Sequence, residues 1–441
     1  MSDRIAIVGG GLSGSLLALS LAQRGLEVDV YEKRTDPRIN RGETGRSINL
    51  GLSKRGMEAL KRVGMLETVL ERAVVMKGRV IHSPDGEAIF QAYGNNNNQV
   101  LHSIDRNELN RLLLDKADQS DKVTLHFNQR FIKANKDART IEIESDSQTK
   151  VIKHKWVIGA DGAFSNVRKE MQRGERANYQ QEFLEWGYKE LSLPAKEDGT
   201  SLIQLDALHV WPREHGLIVS HPNLDGTHTL SVFMPFNGEF SFEKVTTKKE
   251  VENFFNTHFC DLVSMLPSLV EEWERNAVGS LITTKTSQWY YKDWMVLVGD
   301  ACHAQYPFYG QGMNSAFEDC CVLLDSLEAT QFDLANAFER YESLRRPHTD
   351  VLAQLSKDNF TELKDKVKSP MFLMRKKMDL VLNKLFPERW LPMYTMIAHT
   401  TMPYKHALIR SIKQNRIINS VAACIAVATT MVLFSLIFPL I

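Results

Sequence analysis

The first 32 residues follow a pattern that few folds accommodate. Ile5 to Val8 is a short apolar run, and it leads directly into glycines at positions 9, 11 and 14 in a GxGxxG frame. The helical run Ser13 to Arg24 follows, and then a second strand-like run, Glu27 to Tyr31, ends at Glu32. This order predicts strand, tight turn, helix and strand, with an acidic residue near the spacing of a dinucleotide-binding unit.

Each residue type in this pattern has a physical reason to be there. Gly9 permits the tight turn, Gly11 lets the backbone approach a pyrophosphate, and Gly14 lets helix and strand pack closely. Glu32 can accept a hydrogen bond from a ribose hydroxyl. The pattern therefore favours dinucleotide binding, and by itself it leaves NAD and FAD open.

A second glycine-containing stretch lies late in the chain, where Gly299 to Asp319 reads GDACHAQYPFYGQGMNSAFED. It follows the apolar run Trp294 to Val298 and continues into the helical run Ser315 to Leu327. Such a loop brings backbone N–H groups close to a flat or anionic ligand, and Asp300 can accept from a sugar hydroxyl. Taken alone, the stretch also suits a glycine-containing turn in any α/β protein.

A third strand ends in the same way. Trp156 to Ala160 is fully apolar and leads into Asp161, Gly162, Ser165, Asn166 and Arg168. Glycine and aspartate repeatedly follow strand ends where a site lies at the edge of an open sheet. The three junctions together predict one ligand site at such an edge.

Between these junctions the chain has β-rich segments. Gly78 to Tyr93 alternates around a Pro-Asp-Gly turn and predicts a hairpin, and Gln180 to Lys285 is extended and aromatic-rich. Ser103 to Leu114 predicts a helix with Asp105 and Arg106 near its start. Further helices are predicted at Asp333 to His348 and from Ser356 to Leu385, apart from Pro370.

Composition excludes several function classes. Lys plus Arg and Asp plus Glu both total 54, so no global basic field indicates nucleic-acid binding. The five cysteines show neither paired zinc-site spacing nor an even disulfide framework, so we expect reduced, structural cysteines and no metal. Cys302 and His303 are adjacent and therefore unsuited to act as a catalytic pair. We expect no signal peptide, because the apolar run Ile5 to Val8 is too short for one.

The last 21 residues, Val421 to Ile441, contain no charged side chain. This length predicts a transmembrane tail, with a buried core helix as the alternative. Lys405, Arg410, Lys413 and Arg416 precede the run and favour a cytosolic position for the folded body. We therefore expect a membrane-anchored protein, in the mitochondrial outer membrane of a eukaryote or the inner membrane of a bacterium.

The three ligand-loop motifs, in this order, resemble the three signatures of FAD-dependent aromatic hydroxylases. The resemblance covers most of the first 350 residues and favours FAD over NAD. It implies that the first motif binds the ADP half of FAD and that Asp300 holds the ribityl chain. The implied FAD-binding residues are Gly9, Gly11, Leu12, Ser13, Gly14, Glu32, Arg34, Arg106, Asp161, Asp300, Gly312, Met313 and Asn314.

Further segments resemble the members of this family that hydroxylate L-kynurenine at ring position 3 in tryptophan degradation. These segments are RSINLGLSKRG from Arg46, NFTE from Asn359 and PMYTM followed by PY at Tyr404. The resemblance implies NADPH and O2 as co-substrates, a C4a-hydroperoxyflavin as oxidant and no catalytic side chain. It implies a substrate site formed by Arg79, Tyr93, Asn359, Glu362, Tyr404, Phe308 and Gln311.

The predicted fold is α/β, with a Rossmann-like FAD-binding domain, a β-rich substrate domain, C-terminal helices and the transmembrane tail. The FAD domain is expected at 1–77, 103–175 and 290–355, the substrate domain at 78–102 and 176–289, the helices at 356–416 and the tail at 417–441. Two alternatives stay open: a flavin monooxygenase or reductase for another aromatic acid or a membrane lipid, and a flavin-binding scaffold without turnover. Arg79 as an ordinary surface charge is also open.

Overall fold

A computed structural model describes residues 4–39, 49–94, 99–146, 148–362 and 370–437. The chain divides into two compact units, Met1–Val367 and Lys368–Ile441. Every described strand lies in the first unit. Part of the segment that begins at Arg46 lies outside the described residues, as does the 95–98 loop.

The strands in chain order are β1 (Ile5–Val8), β2 (Val28–Tyr31), β3 (Asn49–Leu52), β4 (Val74–Met76), β5 (Gly78–His82), β6 (Ala88–Ala92), β7 (Leu101–Asp105), β8 (Val123–His126), β9 (Arg130–Asn135), β10 (Thr140–Ser145), β11 (Gln148–Lys153), β12 (Val157–Gly159), β13 (Tyr179–Leu193), β14 (Ala207–Pro212), β15 (Leu217–Pro222), β16 (His228–Pro235), β17 (Gly279–Thr286), β18 (Tyr290–Tyr291) and β19 (Met295–Leu297).

The helices are α1 (Leu12–Ala22), α2 (Lys54–Arg62), α3 (Leu66–Leu70), α4 (Arg106–Asp118), α5 (Asn166–Gln172), α6 (Lys248–His258), α7 (Cys260–Val263), α8 (Leu269–Arg275), α9 (Asp300–His303), α10 (Gly312–Ala329), α11 (Leu334–Thr361), α12 (Pro370–Leu385), α13 (Met393–Ala398) and α14 (Tyr404–Ile437). A short 3₁₀ turn spans Pro307–Tyr309.

A six-stranded sheet organises the first unit, in the order β18-β19-β12-β1-β2-β8. Strand β1 pairs in parallel with β2 and β12, and β12 pairs in parallel with β19. Their side chains are fully buried, which suits short apolar strands covered on both faces. Helix α1 packs against α4 and α10. The prediction of a Rossmann-like α/β core is confirmed.

A seven-stranded sheet contains the predicted hairpin and the aromatic-rich segments, in the order β17-β13-β16-β15-β14-β5-β6. Its pairs are antiparallel except for β5 and β14, which run in parallel. One face carries Trp211 and Ile218 into a core shared with α6 and α8, and the other carries Trp186 and Phe233. The prediction of a β-rich part is therefore confirmed, with small sheets β3-β7-β4 and β11-β10-β9 beside it.

Two helix predictions need correction. Leu101–Asp105 is a strand, and the helix starts only after Asp105, whose side chain caps it by accepting from the N–H of Glu108 at 2.7 Å. Helix α11 continues through Pro347 to Thr361. A proline removes one helical hydrogen bond, but the buried neighbours Tyr341, Arg345 and Leu352 hold the helix against the core.

The second unit contains α12, α13 and α14, in which Trp390 Nε1 donates to Asp379 at 3.0 Å and Asn383 donates to the Trp390 carbonyl at 2.6 Å. The predicted transmembrane tail is wrong: among the residues described, no helix combines the length and the apolar character needed to cross a membrane. The membrane partner and membrane-anchored localisation lose their basis with it.

Candidate active site

The three predicted strand-to-loop junctions meet at one edge of the six-stranded sheet. Gly9 N donates to the Tyr31 carbonyl at 2.8 Å, and Ala160 N donates to Val8 at 2.8 Å. Val298 N donates to the Gly159 carbonyl at 3.0 Å. Because β1, β12 and β19 are parallel neighbours, the loops that follow them lie side by side.

The glycines shape a cradle at this edge. A Cβ atom on Gly14 would lie 1.9 Å from the Gly9 carbonyl oxygen, so helix α1 packs against the turn at a distance only glycine allows. Gly9 has a φ of 106°, which also favours glycine. In contrast, a Cβ atom on Gly11 or Gly312 would meet no described atom within 4 Å.

That open space lies at two helix starts. Helices α1 and α10 begin at Leu12 and Gly312, and their N-caps, Gly11 and Gln311, provide no side-chain capping hydrogen bond. Uncapped N–H groups and the helix dipole attract anionic groups, such as a pyrophosphate. The cradle therefore fits the diphosphate of FAD on the evidence of its own geometry.

Glu32 lies at the end of β2 and is buried. Its carboxylate accepts from Gly10 N at 2.9 Å and from Arg34 Nε at 2.9 Å. Burial opposes ionisation of this carboxyl, but the hydrogen bonds from Arg34 and the backbone outweigh it and lower the pKa of Glu32. An ionised carboxylate has further lone pairs that can accept from ribose hydroxyls.

Asp161 lies in the second loop, which follows β12. Its carboxylate accepts from Ser165 Oγ at 2.5 Å and from Asn166 N at 2.7 Å, so it caps the start of α5. Burial raises the pKa of Asp161. Arg168 then donates to the Ala301 carbonyl at 2.6 Å and joins this loop to the one that carries Asp300.

Asp300 is exposed and is the first residue of α9. Gly299 before it has a φ of 60°, and its N–H donates to Asp319 Oδ2 at 3.1 Å. His303 at the other end of α9 contacts the same carboxylate oxygen through Nε2. One buried carboxylate on α10 thus fixes both ends of the short helix that presents Asp300.

Arg345 completes this arrangement from α11. Its Nε donates to Asp319 Oδ1 at 2.6 Å, and its Nη2 donates to Ser315 Oγ at 3.1 Å. Burial opposes the charge on Asp319, but His303 and Arg345 outweigh it and lower the pKa of that carboxyl. Neither role could be assigned from the sequence, because Asp319 is one of three acids, with Glu318 and Asp325, in the helical run Ser315 to Leu327.

Cys302, His303 and Asp319 bring possible metal-ligand atoms within 4.8 Å of one another in the described part of the chain. The Asp319 carboxylate is already shared by Gly299, His303 and Arg345. Burial raises the pKa of the Cys302 thiol well above its usual range, and Sγ contacts the Gly299 carbonyl at 3.2 Å. The cluster therefore supports the loop and is a poor cation site.

Asn314 links the start of α10 to the β3 end. It accepts from Ser53 N at 2.9 Å, and it donates to the carbonyls of Gly51 at 2.8 Å and Gly310 at 2.9 Å. Leu12 and Met313 lie in the first turns of α1 and α10 and are buried, and Ser13 is half-buried. Arg106 is exposed at the first residue of α4.

Arg79 lies on β5 in register with Leu208 of β14, so both side chains occupy one face of the seven-stranded sheet. Arg79 Nε donates to Gln91 Oε1 at 3.1 Å. Leu208, Phe233 and Phe308 belong to one apolar cluster on that face. The sheet thus places a half-buried guanidinium beside an apolar wall.

The other predicted substrate residues are divided between the two units. The Phe308 and Phe360 rings pack in a tilted arrangement with centroids 4.5 Å apart, and Asn359 Nδ2 donates to the Phe308 carbonyl at 2.7 Å. Tyr93 and Gln311 are buried, and Glu362 follows the last residue of α11. Tyr404 is buried in the second unit as the first residue of α14.

The chain matches the family model described as FAD binding domain over residues 3–356. It is 46% identical over 432 residues to a kynurenine 3-monooxygenase of Salinispora tropica, covering 97% of this chain and 95% of that protein. It is 38% identical over 431 residues to a kynurenine 3-monooxygenase of Dictyostelium discoideum, covering 95% and 93%.

Solved structures share the fold at low identity. A tetrameric 2-methyl-3-hydroxypyridine-5-carboxylic acid oxygenase superposes with a TM-score of 0.68 at 21% identity, covering 84% of this chain and 95% of that one. Pseudomonas aeruginosa PqsL in complex with 2-aminobenzoylacetate superposes with a TM-score of 0.67 at 20% identity, covering 84% and 99%.

Proposed function

This chain belongs to the kynurenine 3-monooxygenase family, and we propose that it hydroxylates L-kynurenine to 3-hydroxy-L-kynurenine with FAD as cofactor and NADPH and O2 as co-substrates. The carrying observation is that Arg79 shares one sheet face with the apolar wall of Phe233 and Phe308. The Pro307–Tyr309 turn that presents Phe308 lies in the same loop that connects Asp300 to Gly312. These observations support a substrate site in which Arg79 binds the carboxylate and the apolar wall holds the ring.

FAD, when bound and reduced by NADPH, would activate O2, so that one oxygen atom goes to the ring and the other leaves as water. The residues of the chain position the reactants. The guanidinium of Arg79 matches a carboxylate in a two-point contact and fixes the orientation of the amino acid. The wall around Phe308 and Phe360 removes water from the ring and holds it near the cradle.

We assign the cofactor to the cradle residues and the substrate to the Arg79 face, without a catalytic side chain or a metal ion. The proposed cofactor residues are Gly9, Gly11, Leu12, Ser13, Gly14, Glu32, Arg34, Arg106, Asp161, Asp300, Gly312, Met313 and Asn314. The proposed substrate residues are Arg79, Tyr93, Phe308, Gln311, Asn359, Glu362 and Tyr404. The proposed boundaries are 1–77, 103–175 and 290–355 for FAD binding, 78–102 and 176–289 for substrate binding, and 356–416 for the C-terminal helices.

The test is oxidation of NADPH by the FAD-loaded protein with and without L-kynurenine, with identification of the product by mass and retention. Kynurenine should stimulate NADPH oxidation and gain one oxygen atom. NADPH oxidation that yields only hydrogen peroxide would contradict the proposal. Parallel assays with other aromatic acids and with a polyprenyl substrate separate the alternatives, and a scaffold without turnover would oxidise no NADPH in any of them.

A further inference from the structure

His221 lies on β15, in the middle of the seven-stranded sheet. Val219, two residues earlier, is in register with Val210 of β14. Because side chains alternate along a strand, His221, Val219, Val210 and Leu208 lie on one face. Leu208 is in register with Arg79, so His221 and Arg79 share the face proposed for the substrate.

The distance between these two strands suits an aromatic amino acid. Strand β14 separates β5 from β15, so their backbones are about 10 Å apart. Leu208 and Val210 form an apolar floor between them. A substrate whose carboxylate binds Arg79 can lie across this floor with its ring directed toward His221.

The side chain of His221 differs from the other histidines of this sheet. His209, on the opposite face, contacts the Gln204 carbonyl and His82, each at 2.8 Å. His228 contacts Ser220 at 2.9 Å and Ser201 at 3.0 Å. Among all contacts within the described residues, the imidazole of His221 makes no hydrogen bond and no ion pair, although it is at least half-buried. An imidazole that makes no hydrogen bond within the protein can form one with a bound ligand.

The residues next to His221 in the sheet connect it to the cofactor cradle. His221 is in register with Thr229 of β16, whose Oγ1 donates to Asn49 Oδ1 at 3.1 Å. Asn49 begins β3, and Gly51 of that strand accepts from Asn314 at 2.8 Å. His221 therefore lies on the part of the sheet that is tied to the start of α10.

Burial lowers the pKa of His221 to about 4, so its imidazole is neutral at pH 7. A neutral imidazole has one N–H donor and one nitrogen acceptor. A primary amine on an aromatic ring is uncharged and offers N–H donors to such an acceptor. The ring amine of kynurenine is also the polar group at the end of the molecule remote from its carboxylate.

We propose that His221 is a specificity-determining residue that accepts a hydrogen bond from the ring amine of the substrate. This inference rests on the proposed function, because it takes Arg79 as the carboxylate partner. In this arrangement Arg79 on β5 binds the carboxylate of the substrate, and His221 on β15 binds the ring amine at the other end of the molecule. The ring amine thereby gains a recognition element on the protein.

The experiment compares two ligands on the FAD-loaded enzyme: L-kynurenine, and 3-benzoyl-L-alanine, which has the same skeleton without the ring amine. Dissociation constants are measured from the change in flavin absorbance for the wild type and for His221→Leu, His221→Ala and His221→Gln. His221→Leu and His221→Ala should weaken kynurenine binding roughly tenfold, the equivalent of one hydrogen bond. Binding of the analogue should change less than about twofold, and His221→Gln, which keeps an acceptor, should recover part of the kynurenine affinity.

Equal weakening of both ligands, or no weakening of either, would overturn the role of His221. FAD content and melting temperature are measured for each variant, so that a folding defect is recognised and the comparison uses the variants that fold. Failure of the proposed function is a separate result, because the wild type would then form no hydroxylated kynurenine. If the wild type hydroxylates kynurenine and the variants lose affinity for both ligands equally, the result contradicts only this inference.

Discussion

The carboxylate of Asp319 accepts a hydrogen bond from the backbone N–H of Gly299, at 3.1 Å and across 20 residues of chain. Gly299 immediately precedes Asp300, the residue proposed to hold the ribityl chain. Arg345 binds the second oxygen of the same carboxylate at 2.6 Å. The position of a cofactor ligand is therefore set by a buried ion pair that we do not expect to touch the cofactor.

Replacing Asp319 by Asn should weaken FAD binding at least tenfold and lower the free energy of unfolding by about 1.5–3 kcal/mol, because the buried Arg345 loses a charge-assisted hydrogen bond and keeps only Glu318, at 2.6 Å, as a carboxylate partner. Asp325→Asn is the matched control on the same helix. Asp325 pairs with Arg62 at 2.7 Å on the surface and should contribute only about 0–1 kcal/mol. Urea denaturation and FAD titration measure both effects; similar values for the two variants would contradict the anchoring role.

Alanine at Gly11 and at Gly14 should have different consequences. A Cβ atom at Gly11 meets no described atom within 4 Å, so Gly11→Ala should leave apoprotein stability nearly unchanged and weaken FAD binding. A Cβ atom at Gly14 would lie 1.9 Å from the Gly9 carbonyl oxygen, so Gly14→Ala should destabilise the apoprotein itself. Melting of the apoproteins and FAD titration separate the two; retained FAD affinity in Gly11→Ala would remove that residue from the cofactor site.

Arg79→Met should reduce kynurenine affinity by about ten- to a hundredfold, the usual effect of losing charge-assisted hydrogen bonds, while FAD stays bound. Arg79→Lys should fall between, because an ammonium keeps the charge and loses the planar fork. Lys77→Met is the control, since Lys77 is exposed two residues away and pairs with Asp206 at 2.9 Å. Unchanged kynurenine affinity in Arg79→Met would support the reading of Arg79 as a surface charge.

Stability should fall as the pH falls below about 6.5, the usual pKa of histidine. Burial, with neighbouring histidine charge, lowers the pKa of His82 to about 4 and of His228 to about 3 in the folded protein. Between about pH 6.5 and 4 the unfolded chain therefore binds more protons than the folded chain, and the stabilisation present above pH 6.5 is lost. Melting temperatures from pH 7.5 to 5 measure this loss, and His228→Gln should flatten the curve; an unchanged slope would exclude His228 as a contributor.

The local parts of the site could be predicted from the sequence. Each junction consists of an apolar strand followed at once by glycine or aspartate, so Gly9, Asp161 and Asp300 could be assigned without knowledge of the pairing. The parallel order of β1, β12 and β19 then brought them together.

The parts that depend on long-range pairing could not be predicted in this way. Arg345 and Asp319 are 26 residues apart on different helices, and the sequence around either residue does not indicate the other as its partner. His221 lies on the proposed substrate face only because β14 and β15 pair in one register, and a shift of one residue would turn it to the opposite face. Pro347 indicated a helix end, and tertiary packing overrode it.

The parallel pairing of β5 with β14 also constrains how the protein is made. Arg79 leaves the ribosome long before Leu208, its register partner, and synthesis adds about 5–20 residues per second. The hairpin of β5 and β6 is therefore synthesised several seconds before β14, the strand that pairs with β5. Ile89 and Phe90 of this hairpin are exposed even in the folded protein. Strand Gly78–His82 is therefore a segment on which a chaperone or a slower stretch of translation would affect the yield of native protein.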